Sequence, residues 1–507
     1  MDMSKRAAVF LSIFVIVLGL INTSAQLGVL TTNEFVPGTG ERFRQFSTPR
    51  LNNDGSIVFQ AETTRPGESG IFIISQGKVQ TVALTGQPTP YENTEFISLS
   101  GNPSSQQLAT CSSNQIFFNA LLDGAGGGSG LFYNDGSNIV GVLQEGQTVS
   151  AFTSPFGQMQ YSTIRLNRKG QMAVLAKVEA DTVFLISNGE FTRIAATGDA
   201  MPGGEGRMVV NAPSLNNGGM LAFAVGLQDA QDTAARMLVL YDGSQLVPLV
   251  KIGDRISSGV GEFRTFMNGF SQVPPTLNDR GQIAFTAQLS GTPGGTTDDE
   301  GVFIAEKTKT VEVARKGQLS PDGNGRFSKL LNYVALNNSG TVVFAAELTE
   351  TARGFEDDSG IFMMRDGVLR TLVRKGSVVP EGDGTFTQLE VDGFFRYPML
   401  NEANEVAFIA GVFPEDRGWD VMGLYFIDET GSIQKVFRSL DTLGSVSDVS
   451  IDSGSVLSFP DPGGTTAFND SGDIVFIARK LGATFLCFWS KPRINRIERR
   501  GQTSISN

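Results

Sequence analysis

Two acidic triplets, Asp298-Asp299-Glu300 and Glu356-Asp357-Asp358, are the side-chain groups in this chain best suited to chemistry. Carboxylate oxygens on neighbouring loops could hold Ca²⁺. No D-x-D-x-D-G loop or glycine-rich calcium nonapeptide accompanies them, so a solvated acidic loop is the simpler reading of each. Asp322-Gly323-Asn324-Gly325 and Glu381-Gly382-Asp383-Gly384 add oxygen atoms nearby. Trp419 is the one tryptophan on a long loop, and it could stack on a sugar or peptide ligand or fold back on its own element. The chain has no histidine. That removes the commonest general base, the commonest metal ligand and every Ser-His-Asp or Cys-His arrangement. An enzyme here would have to rely on carboxylates, tyrosine, lysine or a bound cation. Acids sit on turns throughout, so no carboxylate pair is singled out. No catalytic residue and no cofactor are assigned, and Ca²⁺ is the one ion the sequence admits.

The elements that must position these groups come from a repeat. L-N-x-x-G-x-[ILV]-[AV]-F begins at Asn52, Asn167, Asn216, Asn278, Asn337, Asn401 and Asn469, at separations of 115, 49, 62, 59, 64 and 68 residues. A short apolar segment follows each copy, reading G-[ILV]-F after Asn52, Asn278 and Asn337. The 115-residue step holds a decayed copy near Ser113 to Ala120, which keeps an asparagine and a phenylalanine but no glycine. About eight copies of one unit result. In the fifth, four extended segments are expected: one ending at Leu277, then residues 282–289, 301–305 and 310–315. Asn278 and Gly281 form a tight turn in which the Asn side chain caps the backbone and glycine takes positive φ. The same holds at Asn52/Gly55, Asn167/Gly170, Asn216/Gly219, Asn337/Gly340 and Asn469/Gly472, with Asn404 at the glycine position after Asn401. Strands three and four also join through tight turns. The other two connections, such as residues 291–300 and 316–327, are long. All long loops therefore fall on one face, where a partner is expected.

Eight four-stranded antiparallel sheets, none able to bury both faces alone, predict an all-β propeller. Seven blades plus an irregular unit, or an open solenoid, are the alternatives. Residues 30–40 resemble residues 374–384, so the chain is expected to enter on a fourth strand. Residues 493–500 also look like one, which leaves the closure of the ring open.

The 60 glycines and 37 phenylalanines suit turn-rich sheets packed on aromatic faces. A formal charge of −12 disfavours nucleic acid and anionic lipid and leaves cations as partners. Lys5, Arg6, the apolar residues 7–21 and a polar stretch ending at Ala25 read as a signal peptide over residues 1–25. Residues 26–507 are then a single exported propeller domain, extracellular or periplasmic, monomeric, with no later membrane span. Cys111 and Cys487 are the only cysteines. A buried free thiol at Cys487 is expected rather than a bridge.

The segment from Pro275 to Phe285, P-x-L-N-x-x-G-x-I-A-F, resembles the TolB-type propeller repeat. The full set of copies more closely resembles the bacterial "choice-of-anchor" tandem-repeat family named for its NxxGxxAF motif. That resemblance implies export and a C-terminal sorting segment, and implies no reaction. The chain shows no hydrophobic tail, which counts against surface attachment. The expected function is a non-enzymatic binding or scaffold propeller whose long-loop face holds a protein, a glycan or a cell-envelope component. The alternative is a carboxylate-dependent polysaccharide hydrolase or lyase, which would need converging acids in a central cleft.

Overall fold

In a computed structural model, the repeat resolves into eight antiparallel sheets closed as an eight-bladed β-propeller. The structure describes residues 26–99, 108–110, 115–124, 128–148, 155–156, 164–204, 206–228, 234–267, 274–307, 309–389, 397–443, 446–451, 467–480 and 483–491. Blade 5 shows the unit. Its inner strand comes in two pieces, Glu262–Phe266 and Thr276–Leu277, which both pair with Ile283–Ser290. Glu300–Glu306 and Lys309–Arg315 complete the sheet, each within a residue of the expected bounds. The second strand is buried on both faces because neighbouring sheets cover it, whereas the outer strand alternates buried and exposed positions.

The G-[ILV]-F segment has a packing reason. In blade 5, Phe303 stacks on Phe285 at 5.6 Å and meets Phe263 edge-on at 5.0 Å. Its ring lies back over Gly301, where an added Cβ would stand 2.5 Å from it. Only glycine leaves room for the ring. The same aromatic triad recurs as Phe43, Phe59 and Phe72, as Phe96, Phe118 and Phe132, as Phe327, Phe344 and Phe362, and as Phe386, Phe408 and Tyr425. Offset and edge-to-face rings of this kind add stability beyond the area they bury.

Closure uses the chain start. Gln26–Thr31 pairs antiparallel with Ala483–Ser490, Leu30 opposite Leu486, and so supplies the outer strand of the eighth blade. The expected entry on a fourth strand is what the fold uses, and it is a closed ring rather than an open solenoid. Residues 1–25 and the second proposed fourth strand, 493–500, lie outside the described residues. The reading of the decayed copy is corrected by its register. Thr110 stands opposite Ile116 just as Leu277 stands opposite Ile283. Counted from there, Cys111 takes the repeat asparagine's place and Asn114 the glycine's. Cys487 is a buried free thiol, and burial raises its pKa. Cys111 lies outside the described residues.

Candidate functional site

At the tight-turn end the repeat asparagine does more than cap its turn. Asn278 Oδ1 accepts the N–H groups of Arg280 and Gln282, both at 3.0 Å, as expected for a cap. Its Nδ2 also donates to the carbonyl of Asn337 on the next blade at 3.0 Å. This link repeats around the axis. Asn167 donates to Asn216 O (2.9 Å), Asn216 to Asn278 O (2.9 Å), Asn337 to Asn401 O (3.1 Å), Asn401 to Asn469 O (3.1 Å) and Asn469 to Asn52 O (3.1 Å). All seven of these asparagines are buried.

A second set of bonds lies beside this belt. The backbone N–H of the residue after each asparagine donates to the side-chain oxygen of its counterpart on the next blade. Arg168 thus donates to Asn217, Asn217 to Asp279, Asp279 to Asn338, Asn338 to Glu402, Glu402 to Asp470 and Asp470 to Asn53, at 2.6 to 3.2 Å. Three carboxylates, Asp279, Glu402 and Asp470, therefore join one ring of side chains at the tight-turn end. The Arg168 guanidinium reaches from blade 3 to Asp470 on blade 8 at 2.5 Å, and Asn53 Nδ2 meets the same carboxylate at 2.6 Å. Burial raises the Glu402 carboxyl, with Asp470 and Asp279 adding to the effect, against the Asn338 N–H and Arg168. The repeat motif L-N-x-x-G leaves the position after the asparagine unspecified, so the motif alone does not point to these residues. The signal was there: that position is polar in every copy.

At the opposite end the long loops are of two kinds. The connection from one blade to the next is a regular hairpin, not a variable loop as expected. Gly86 N–H donates to Phe96 O, Gly146 to Phe156, Gly198 to Met208, Gly253 to Phe263, Gly317 to Phe327 and Gly376 to Phe386, at 2.7 to 2.8 Å. The loops between second and third strands differ from blade to blade. Those of blades 5 and 6 hold the acidic triplets, the first directly after a 3₁₀ turn at Gly295–Thr297 and the second starting on the last residue of one at Gly354–Glu356. Lys316 pairs with Asp299 at 2.9 Å and Lys375 with Asp358 at 2.7 Å, while Glu300 accepts the Leu330 N–H at 3.3 Å. Asp357 is buried and accepts from Asn324 Nδ2 at 2.8 Å. Among the described residues, one buried Asp298 oxygen has no hydrogen-bond partner, and Glu356 is exposed. Among the described residues, no three His, Cys, Asp or Glu side chains are spaced to hold a metal ion.

Trp419 is 60% exposed on the variable loop of blade 7, rather than folded over its own blade, and Phe355 is 87% exposed on that of blade 6. The hairpin between them carries Val378, 65% exposed. It touches both loops: a Cβ on Gly376 would stand 2.5 Å from Glu356 O, and Glu415 N–H donates to Asp383 O at 2.8 Å. The three apolar side chains thus stand on three successively packed segments. Phe355 carried no motif, so only its exposure reveals it.

Fold and geometry define the class as an eight-bladed propeller, tied by an axial belt and presenting aromatic side chains on its variable loops. The chain belongs to a family of unknown function, DUF7453, whose model matches residues 17–185 and 177–484. No curated protein matches it. Among solved structures it is similar to a Mycobacterium tuberculosis puromycin-hydrolysing peptidase, with 13% identity, 85% of this chain and 57% of that one covered, and a TM-score of 0.39. The chain thus spans little more than half of that peptidase. It is also similar to the propeller domain of the Pyrococcus furiosus Trilobed protease (8% identity, 78% and 98% covered, TM-score 0.40). A third likeness is to the lectin SapL1 bound to α-methyl fucoside (10%, 79% and 98%, TM-score 0.28). None of these likenesses bears on the activity of this chain.

Proposed function

We propose that this chain is an exported, monomeric binding propeller that holds its partner on the long-loop face at blades 6 and 7. The observation that carries this reading is the exposure of Phe355 and Trp419 on adjoining variable loops. Exposed aromatics on loops set by a rigid frame are where binding energy concentrates. The resemblance of the repeat to the NxxGxxAF pattern and the charge and apolar pattern of residues 5–25 are what support export in this reading. In this reading Asp299 and Asp358 of the acidic triplets hold their loops through Lys316 and Lys375 rather than through Ca²⁺.

Trp419 supplies the test, because the chain's other tryptophan, Trp489, is only 3% exposed. Ligand bound at blade 7 should shift the solvent-exposed tryptophan emission, and F355A/W419A should abolish binding to glycan or peptide arrays. Binding that survives the double variant would defeat the proposal.

One observation favours the hydrolase alternative. Glu402, raised above its ordinary range, shares the axial ring with Asp470 and Asp279. Against it, both oxygens of Asp279 and of Asp470 already accept hydrogen bonds from the ring. Polysaccharide cleavage that is lost in E402Q would establish that reading instead.

A further inference from the structure

Resting on the binding reading above, we propose that the partner held at blades 6 and 7 is a cationic polypeptide segment, rich in lysine and arginine. The two variable loops, residues 350–358 and 415–420, carry Glu350, Glu356, Asp357, Asp358, Glu415, Asp416 and Asp420 against Arg353 and Arg417. Both arginines lie beside acids of their own loops, Arg353 3.9 Å from Asp357 and Arg417 3.9 Å from Asp416. Glu356, Glu415 and Asp420 are exposed and make no ion pair among the described residues. Two of these acids directly follow the exposed aromatics in sequence: Phe355-Glu356 and Trp419-Asp420.

An aromatic face beside an unpaired carboxylate attracts a guanidinium or ammonium twice, through the ring quadrupole and through charge. The aliphatic stems of lysine and arginine would lie along Val378 and the rings while their heads reach the acids. The chain's formal charge of −12 steers such a partner toward it. A neutral sugar would use the rings but leave the three carboxylates without a role.

The test is peptide display against the full chain, followed by affinity measurement of an enriched peptide on two variants. F355A/W419A removes the rings, and E356Q/E415Q/D420N removes the charge while keeping the shape. All five residues are exposed, so unfolding temperatures of both variants should match the parent. Enriched peptides should be basic, each variant should weaken binding by about tenfold, and added salt should weaken it further. Enrichment of neutral or acidic peptides, or capture of a neutral glycan, sensitive to F355A/W419A but not to the carboxamide variant, would overturn the cationic assignment and leave the binding face standing. Binding indifferent to both variants, or no enrichment, would overturn both.

Discussion

Asn278 has two roles that a single substitution series separates. A residue that only caps its turn could be aspartate, which also accepts backbone N–H groups. A residue that must also donate to Asn337 O cannot, because a carboxylate would face that carbonyl in a buried site. Asn278→Ala should cost about 2–4 kcal/mol in denaturant unfolding, and Asn278→Asp at least as much. A well-tolerated aspartate would reduce the belt to turn chemistry. The cap was legible in N-x-x-G because it is made within five residues. The donation to the next blade was not, since its acceptor lies 59 residues away. Glu402 gives the second residue-scale prediction. Its carboxyl is held above the ordinary value of 4.5, so the folded chain binds the proton more tightly than the unfolded chain. Well below that value both states are protonated and no penalty exists. As pH rises through 4.5 toward the folded value, stability is lost. Glu402→Gln keeps an oxygen for the Asn338 N–H and removes the charge. Its gain in unfolding temperature over the parent should grow from acid to neutral pH, and a constant offset would contradict the sign.

Among the elements, five of the eight sheets share a contact between a glycine and a ring two residues later, at Gly70, Gly130, Gly301, Gly360 and Gly423. Gly301 has no positive φ, so Gly301→Ala isolates the steric effect: the new methyl meets Phe303 at 2.5 Å, and about 1–3 kcal/mol should be lost. Gly323 is the opposite case, with φ of 76° and open space around its Cα. Gly323→Ala should cost about 1 kcal/mol through backbone strain alone. Thermal unfolding of the two variants, with near-ultraviolet dichroism reporting aromatic packing, distinguishes them: only Gly301→Ala should disturb the aromatic signal. The strands were legible to within a residue because alternation and turn residues act over a few positions. The inter-blade hairpins were misread as variable. Their regularity lies in backbone bonds such as Gly317 N–H to Phe327 O, which many side chains permit.

For the whole molecule, the sequence predicts a seam in the belt. Its described links run from blade 3 through blades 4 to 8 and on to blade 1. The residue types break the pattern between blades 2 and 3: Cys111, outside the described residues, carries no side-chain amide, and an arginine side chain at 168 offers no acceptor. The Arg168–Asp470 contact ties blade 3 to blade 8 and bypasses that seam. Hydrogen exchange should therefore be fastest, among second strands, in Ile116–Gly124 of blade 2 and slow in Ile283–Ser290 of blade 5. Equal protection would show that the belt adds nothing to local stability. The sequence by itself determined the period, the four strands, the tight turns and the face on which long loops gather, because each depends on backbone geometry within one repeat. Only the tertiary structure decided which asparagine meets which carbonyl, that Arg168 meets Asp470 across 302 residues, and that Phe355 and Trp419 flank one hairpin. Those contacts depend on the radius and closure of the ring, which packing among all eight sheets sets and no single repeat encodes.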